Sequence, residues 1–200
     1  MSVYDLILRR RTIRRFRQDP VPFDLLLRMV NAARLAPSGA NLQPLEYVVV
    51  TDPEIVPRVF AATRWAAYLG EQGVPREGER PPAYVVVLIN RQVRAHGGYH
   101  DCGAAIENMI LVALEAGFGT CWIGSLDKPA LHQTLGIPEA YEIDSVLAVG
   151  APAEVAVPEP MGDSVRYYRD GEGVHHVPKR NLREVLHLDR YGSRYNGPQP

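Results

Sequence analysis

The chain has 200 residues, 46% of them hydrophobic and 22% charged, with a formal net charge of −1. This balance suits one folded domain with a substantial core and argues against a disordered chain or a dedicated nucleic-acid binder, which is usually basic overall. No apolar run approaches a membrane span, MSVYDLILRR lacks a signal-peptide core, and the two cysteines, Cys102 and Cys121, form no CxxC or zinc pattern, so a cytoplasmic protein with reduced thiols is expected.

In chain order, residues 3–10 suit a short amphipathic helix. It leads into RRRTIRRFR, six arginines within residues 9–17. FDLLLRMVNAARLA (23–36) places apolar residues at three- and four-residue steps and predicts a helix stopped by Pro37. PSGANLQP (37–44) is dense in turn formers and reads as an ordered loop. EYVVVT (46–51) predicts a strand. Asp52 and Pro53 resemble a helix start, but Pro57 implies a kink or a later beginning; the apolar part runs to about Tyr68.

Residues 70–83 are rich in Gly, Pro and charge and read as a long mobile loop, either a solvated connection or a lid. YVVVLIN (84–90) predicts a buried strand, and DCGAAIENMILVALEAG (101–117) a central buried helix whose small residues Gly103, Ala104 and Ala105 admit a close backbone. TCWIGS (120–125) reads as a short strand or turn, 128–136 as a helix, 144–152 as a third buried strand, the stretch through VPEPMG as extended, and 179–187 as a final helix. Without strict βαβ alternation, the mixture suggests an α+β or three-layer arrangement.

No nucleophile elbow, metal-ligand spacing or dinucleotide fingerprint is present. Three segments carry anion and heterocycle chemistry instead. In an extended chain Arg10, Thr12 and Arg14 share one face, two guanidinium forks and a hydroxyl suited to a phosphate monoester. Ser38, Asn41 and Gln43 offer hydroxyl and amide groups that match alternating C=O and N–H edges. Lys179 and Arg180 form a late basic pair. Taken singly, each is more simply a solvated charge or a turn.

Together they resemble the nitroreductase family of FMN-dependent oxidoreductases. The likeness runs through RRRTIRRF, AARLAPSGANLQPLEYVVVTDPE, DCGAAIENMILVALEAGFGTCWIG, LGIPEAYEIDSVLAVGAP and VPKRNLREVLH, in family order. It implies a three-layer α/β/α sandwich around a mainly antiparallel sheet, one FMN-binding domain over 1–200, and an intertwined homodimer with residues 188–200 lying on the partner.

It also implies that Arg10, Thr12 and Arg14 contact FMN, with Arg11 in the same motif. Thr12 stands where the family usually has serine. Pro37, Ser38 and Gly39 would pack on or bond the flavin from the other subunit, with Asn41 and Gln43 serving the ring or its loop. Backbone N–H groups near Ile123 and Gly124 would approach the flavin edge, and Lys179 or Arg180 would close on the phosphate. Leu45 replaces a frequent aromatic residue after the QP pair, which changes the substrate pocket. Trp65 and Tyr68 are candidates for the pocket wall or for core aromatics.

The implied activity is ping-pong transfer of hydride from NADH or NADPH through flavin N5 to a flat acceptor such as a nitroaromatic or quinone. No side chain is expected as acid or base, and no metal, nucleic acid or membrane as partner. Reductive dehalogenation and flavin fragmentation are alternatives on the same fold, and a nucleic-acid-binding arm or a flavin-binding sensor are alternatives outside it.

Overall fold

A capping box starts the first helix. In the computed structural model, which describes residues 2–198, the Ser2 hydroxyl accepts from the Asp5 N–H at 3.1 Å and the Asp5 carboxylate accepts from the Ser2 N–H at 2.8 Å. Helix α1 spans Val3–Arg9; Leu6 is buried, while Val3, Tyr4, Ile7 and Leu8 are exposed. The helix expected over 23–36 is α2 (Phe23–Arg34), with Leu25, Leu26, Met29 and Ala33 on its inward face.

Strand β1 is Leu45–Val50. After it, Asp52 accepts from the Glu54 N–H at 2.7 Å in a turn, so the next helix begins late: α3 is Val56–Ala61. Pro57 sits in its first turn, where a missing N–H costs nothing. The helix also ends before Tyr68, because Thr63 bridges Leu126 and the Arg64 N–H donates to the Ser125 carbonyl at 3.0 Å. The stretch expected as a loop over 70–83 overlaps a 3-10 turn, Ala67–Gly73. Its far end is tied down by the Phe16 N–H to Glu79 and by Gln18 Nε2 to the Arg80 carbonyl, both at 2.9 Å.

The remaining elements of this first unit are β2 (Ala83–Asn90), α4 (Tyr99–Glu115), β3 (Gly119–Ile123), α5 (Lys128–Leu135) and β4 (Tyr141–Gly150). Helix α5 is capped by the Asp127 carboxylate, which accepts from the Ala130 N–H at 3.1 Å, and ends at Gly136 in the left-handed region. Strand β4 starts three residues before the expected 144, since Tyr141–Ile143 continue its pairing with β2.

The sheet has the order β1-β2-β4-β3, antiparallel throughout. Alternation along β2 divides the core in two. Ala83, Val85, Val87 and Ile89 join Leu26 and Met29 of α2 and Ile106 and Met109 of α4 in a first core. Tyr84, Val86 and Leu88 join Val59 of α3 and Leu131 of α5 in a second. The sheet is thus covered on both faces, which explains why β2 reads as an uninterrupted apolar run. This is the antiparallel α+β sandwich the sequence implies. Asn108 Nδ2 donates to the Ala32 carbonyl at 3.0 Å, tying α4 to α2. Among the described residues, the atom nearest to where a Cβ on Gly103 would stand belongs to the Trp122 ring, at 3.9 Å.

The chain forms two compact units, Met1–Glu154 and Val155–Pro200. The second contains β5 (Ala156–Pro160), β6 (Tyr168–Arg169) and β7 (His175–Lys179) in the order β5-β7-β6, followed by the single turn α6 (Leu182–Val185). Strands β5 and β7 are parallel, and β6 runs antiparallel to β7. The sequence reading missed this sheet and extended the last helix over 179–187. Lys179 instead ends β7, and Asn181 is extended before α6. His176 joins the segments: its ring nitrogens lie 3.0 Å from Glu159 on β5 and 3.0 Å from Asp170 after β6. Its ring stacks on Tyr168 with centroids 4.8 Å apart. Of the expected tail over 188–200, residues 199 and 200 lie outside the described residues.

Candidate functional site

The arginine segment is extended, as its alternating pattern requires. Thr12 makes a parallel bridge with Thr120 of β3, and the Ile13 N–H donates to the Thr120 carbonyl at 2.9 Å. Gly119 permits this approach, since a Cβ there would stand 2.8 Å from Ile13 Cβ. Farther on, the Arg17 N–H donates to Ala151 at 2.8 Å, and the Glu154 carboxylate accepts from the Arg14 and Arg15 amides. The segment is therefore fastened first to the edge strand β3 at Thr120 and then to residues 151–154 that follow β4.

Its arginines part company. Arg10 pairs with Glu107 of α4 at 3.6 Å, Arg15 with Glu79 at 3.5 Å, and Arg17 with Asp19 at 3.3 Å on the exposed surface. Arg11 folds back on the Leu8 carbonyl at 2.9 Å, yet its Nε is buried without a partner among the described residues. Burial, and then the neighbouring Arg10 charge, lower the Arg11 pKa.

Arg14 lines a pocket of about 230 Å³ with Arg64, Trp65, Trp122, Ile123 and Gly124. Gly124 faces open space, with no atom within 4 Å of where a Cβ would be. Trp65 is 8% exposed and donates from Nε1 to the Thr63 hydroxyl at 2.8 Å, so it is both a core aromatic and a wall of this pocket. Tyr68 is half-exposed and does not line it. Ala66, beside Trp65, holds a left-handed φ of 37°. Cys121 borders the pocket, but burial pushes its thiol up to about 12, partly opposed by the Arg14 charge. It is no nucleophile at neutral pH.

Pro37, Ser38 and Gln43 line a second pocket of about 150 Å³, with Tyr47 and Asp101. Here the Ser38 hydroxyl donates to Asp101 Oδ2 at 2.6 Å and accepts from the Gln43 N–H at 3.0 Å. Ala40, Asn41 and Gln43 all have left-handed φ, between 51° and 54°. Three such non-glycine residues in one short loop mark stored strain, a recurrent property of ligand-holding segments. Gln43 Nε2 donates to the Asn41 carbonyl at 3.3 Å, and Gly39 lies against Arg94, whose Nη1 would be 2.9 Å from a Cβ at that position.

The structure thus gathers Thr12, Arg14, Ile123 and Gly124 into one constellation and Pro37, Ser38, Gly39 and Gln43 into another. The two pockets share no lining residue. The second pocket is built on first-core positions such as Ala33, Leu45 and Tyr47, and the Arg14 pocket on second-core positions such as Trp65 and Ile123. In the second unit, Lys179 closes β7, and Arg180 is engaged by Glu184, through Nη2 to its carbonyl at 2.8 Å and Nε to its carboxylate at 3.6 Å.

Sequence reasoning did not single out Arg64, Arg94 or Asp101. Asp101 stood at the start of the segment read as a structural helix, and its aspartate in an otherwise apolar run was the available signal. Arg94 has no motif around it. Among the described residues no group of three or more His, Cys, Asp or Glu side chains could hold a metal ion, and no helix is long and apolar enough to cross a membrane.

Comparison with known proteins decides the family. The nitroreductase family model matches residues 7–151. The chain belongs to the nitroreductase family. That match lies wholly within the first unit and includes both pockets; Lys179 and Arg180 fall beyond it. A provisionally named NADH dehydrogenase/NAD(P)H nitroreductase of Archaeoglobus fulgidus is 30% identical over 156 residues, covering 74% of this chain and 84% of its own. An NADH dehydrogenase of Thermus thermophilus is 29% identical over 178 residues, covering 76% and 87%. Among solved structures, a provisionally named nitroreductase of Desulfovibrio desulfuricans in complex with FMN aligns with a TM-score of 0.70 at 24% identity, over 96% of this chain and 98% of that one. This nitroreductase-family oxidoreductase therefore shares its fold with an FMN-bound relative.

Proposed function

We propose that this nitroreductase-family protein is an FMN-dependent NAD(P)H oxidoreductase acting on a flat acceptor such as a nitroaromatic or a quinone. The observation that carries the reading is the pairing of Thr12 with Thr120, which sets Arg14 beside Ile123 and Gly124 in one pocket. The residues present fit a flavin mononucleotide. Arg11 Nε is a buried donor awaiting an acceptor, Arg14 supplies a guanidinium at the pocket wall, and Gly124 leaves its side open. The two tryptophans give flat apolar walls.

When bound, FMN supplies hydride transfer through N5, first from NADH or NADPH and then to the acceptor. The protein's share is binding, orientation and charge. Arg10, Arg11 and Thr12 would hold the phosphate and its chain. Arg14 would offer positive charge to the ring, and the backbone at Ile123 and Gly124 would orient it. The thiols of Cys102 and Cys121 take no part, since burial raises both to about 12.

Pro37, Ser38, Gly39, Asn41 and Gln43 complete the site from a second copy of the chain. The separation of the two pockets within one chain, and the exposed apolar residues Val3, Tyr4, Ile7 and Leu8 of α1, support a homodimer. We place the enzyme in the cytoplasm, with no nucleic-acid or membrane partner.

The test is a visible spectrum of the purified protein, before and after added FMN, followed by anaerobic titration with NADH and NADPH. A flavin band that bleaches with either nicotinamide and returns with a quinone supports the reading. A colourless protein that takes up no FMN overturns it.

A further inference from the structure

We propose that Asp101 is the positioning residue for the 37–43 loop, acting through the Ser38 hydroxyl, with Arg94 as its counter-charge. This rests on the flavin-site reading only for what the loop then binds.

The loop cannot hold its shape by propensity. Ala40, Asn41 and Gln43 each occupy the left-handed region, which disfavours residues bearing a Cβ. Within the loop, backbone bonds from Asn41 to Ser38 at 2.9 Å and from Leu42 to Gly39 at 3.2 Å close only the inner turn. The neck is closed by a single oxygen. A serine hydroxyl has one hydrogen, and here it goes to Asp101 Oδ2 at 2.6 Å, a length typical of a charge-assisted bond. The same oxygen receives the Gln43 N–H at 3.0 Å. Asp101 thereby fixes the rotamer of Ser38, and Ser38 fixes the backbone five residues on.

Asp101 is 5% exposed, so its charge needs an answer inside the fold. Arg94 gives it, with Nη1 at 3.3 Å from Oδ1. The same guanidinium lies over Gly39, with Nη1 2.9 Å from where a Cβ would stand, so a side chain there would have to displace it. The loop is therefore gripped on one side by Asp101 through Ser38 and on the other by Arg94 against Gly39. It follows that Ser38 has no hydroxyl proton left for a ligand. The side-chain amide of Asn41 and the second N–H of Gln43 Nε2, which have no partner among the described residues, are the loop's available side-chain donors.

The test uses the full chain with Ser38→Ala, Asp101→Ala and Asp101→Asn. In flavin-free protein, hydrogen exchange of the Gln43 amide is expected to accelerate about tenfold or more in Asp101→Ala, as in Ser38→Ala, while the β2 amides keep wild-type protection. Asp101→Asn, which retains a carbonyl acceptor for Ser38, restores part of that protection. FMN titration is expected to show a similar loss, about tenfold, for Ser38→Ala and Asp101→Ala, with the double variant no weaker than either single one. Wild-type exchange at Gln43 in Asp101→Ala, strictly additive losses, or equal loss of protection across β2 overturns the proposal. A wild-type protein that binds no FMN overturns the flavin reading, while the exchange measurements still decide this one.

Discussion

Ile13 and Thr120 are joined by a backbone hydrogen bond of 2.9 Å, and the Ile13 side chain occupies the space a Cβ on Gly119 would need. The arginine segment is thus held to β3 by direct backbone apposition, with its geometry set by one glycine. Gly119→Ala must push Ile13 away, since a Cβ would lie 2.8 Å from it. A destabilisation of about 1–3 kcal/mol is expected from overpacking. FMN affinity should fall with it, because Thr12 and Arg14 move together. Chemical denaturation and flavin titration on the same variant check both.

The arginines should separate in function as they do in structure. Arg14→Ala is expected to weaken FMN binding by about tenfold or more, through lost charge in a concave site. Arg17→Ala removes only an exposed pair with Asp19 and should change stability by less than about 0.5 kcal/mol. Equal FMN affinity in both variants would sink the assignment of Arg14.

The second unit should respond to pH through His176. Its pKa is raised above 6.5, first by the hydrogen bond to Asp170, with Glu159 adding to it. A raised histidine contributes stability that is fully present below 6.5 and is lost as pH rises through the higher folded value. Asp170 is lowered from 3.8, first by His176, so its contribution is present above 3.8 and fades as pH falls through the lower folded value. The protection factors of the β7 amides, with base-catalysed intrinsic exchange divided out, should therefore fall on moving from mildly acidic to alkaline pH. His176→Gln should flatten that profile.

Neither cysteine should react in the native protein. Burial raises both Cys102 and Cys121 to about 12, leaving almost no thiolate at neutral pH. Mass spectrometry after iodoacetamide treatment should find both unmodified until denaturant is added. Rapid labelling of either would show that its part of the core opens easily.

The first unit was legible because its signals are redundant. Residues 84–90 are apolar on both faces and the 101–117 helix nearly all round, so both had to be internal. The segments carrying the Arg14 pocket and the Ser38 loop could be named, because arginine alternation and turn residues are local signals. The division of those segments between two cores could not, because it depends on which face of the sheet each helix covers. The sheet of the second unit was hidden for another reason. Strand β6 has two residues, and part of what joins β5, β6 and β7 is polar, namely Glu159, Asp170 and His176 around one ring. Hydrophobic periodicity has nothing to register there. Asp101 was missed as a partner of Ser38 because 63 residues separate them.

The placement of the Arg14 pocket and the Ser38 loop on opposite core layers has a genetic consequence. In a symmetric pair built as proposed, each copy lends its arginine half to one flavin and its loop half to the other. A chain disabled at Arg14 and a chain disabled at Ser38 would then be able to complement. In the mixed dimer one site collects both lesions and the other collects neither. Co-expression of the two defective chains should recover flavin content that neither shows alone, up to half the wild-type level.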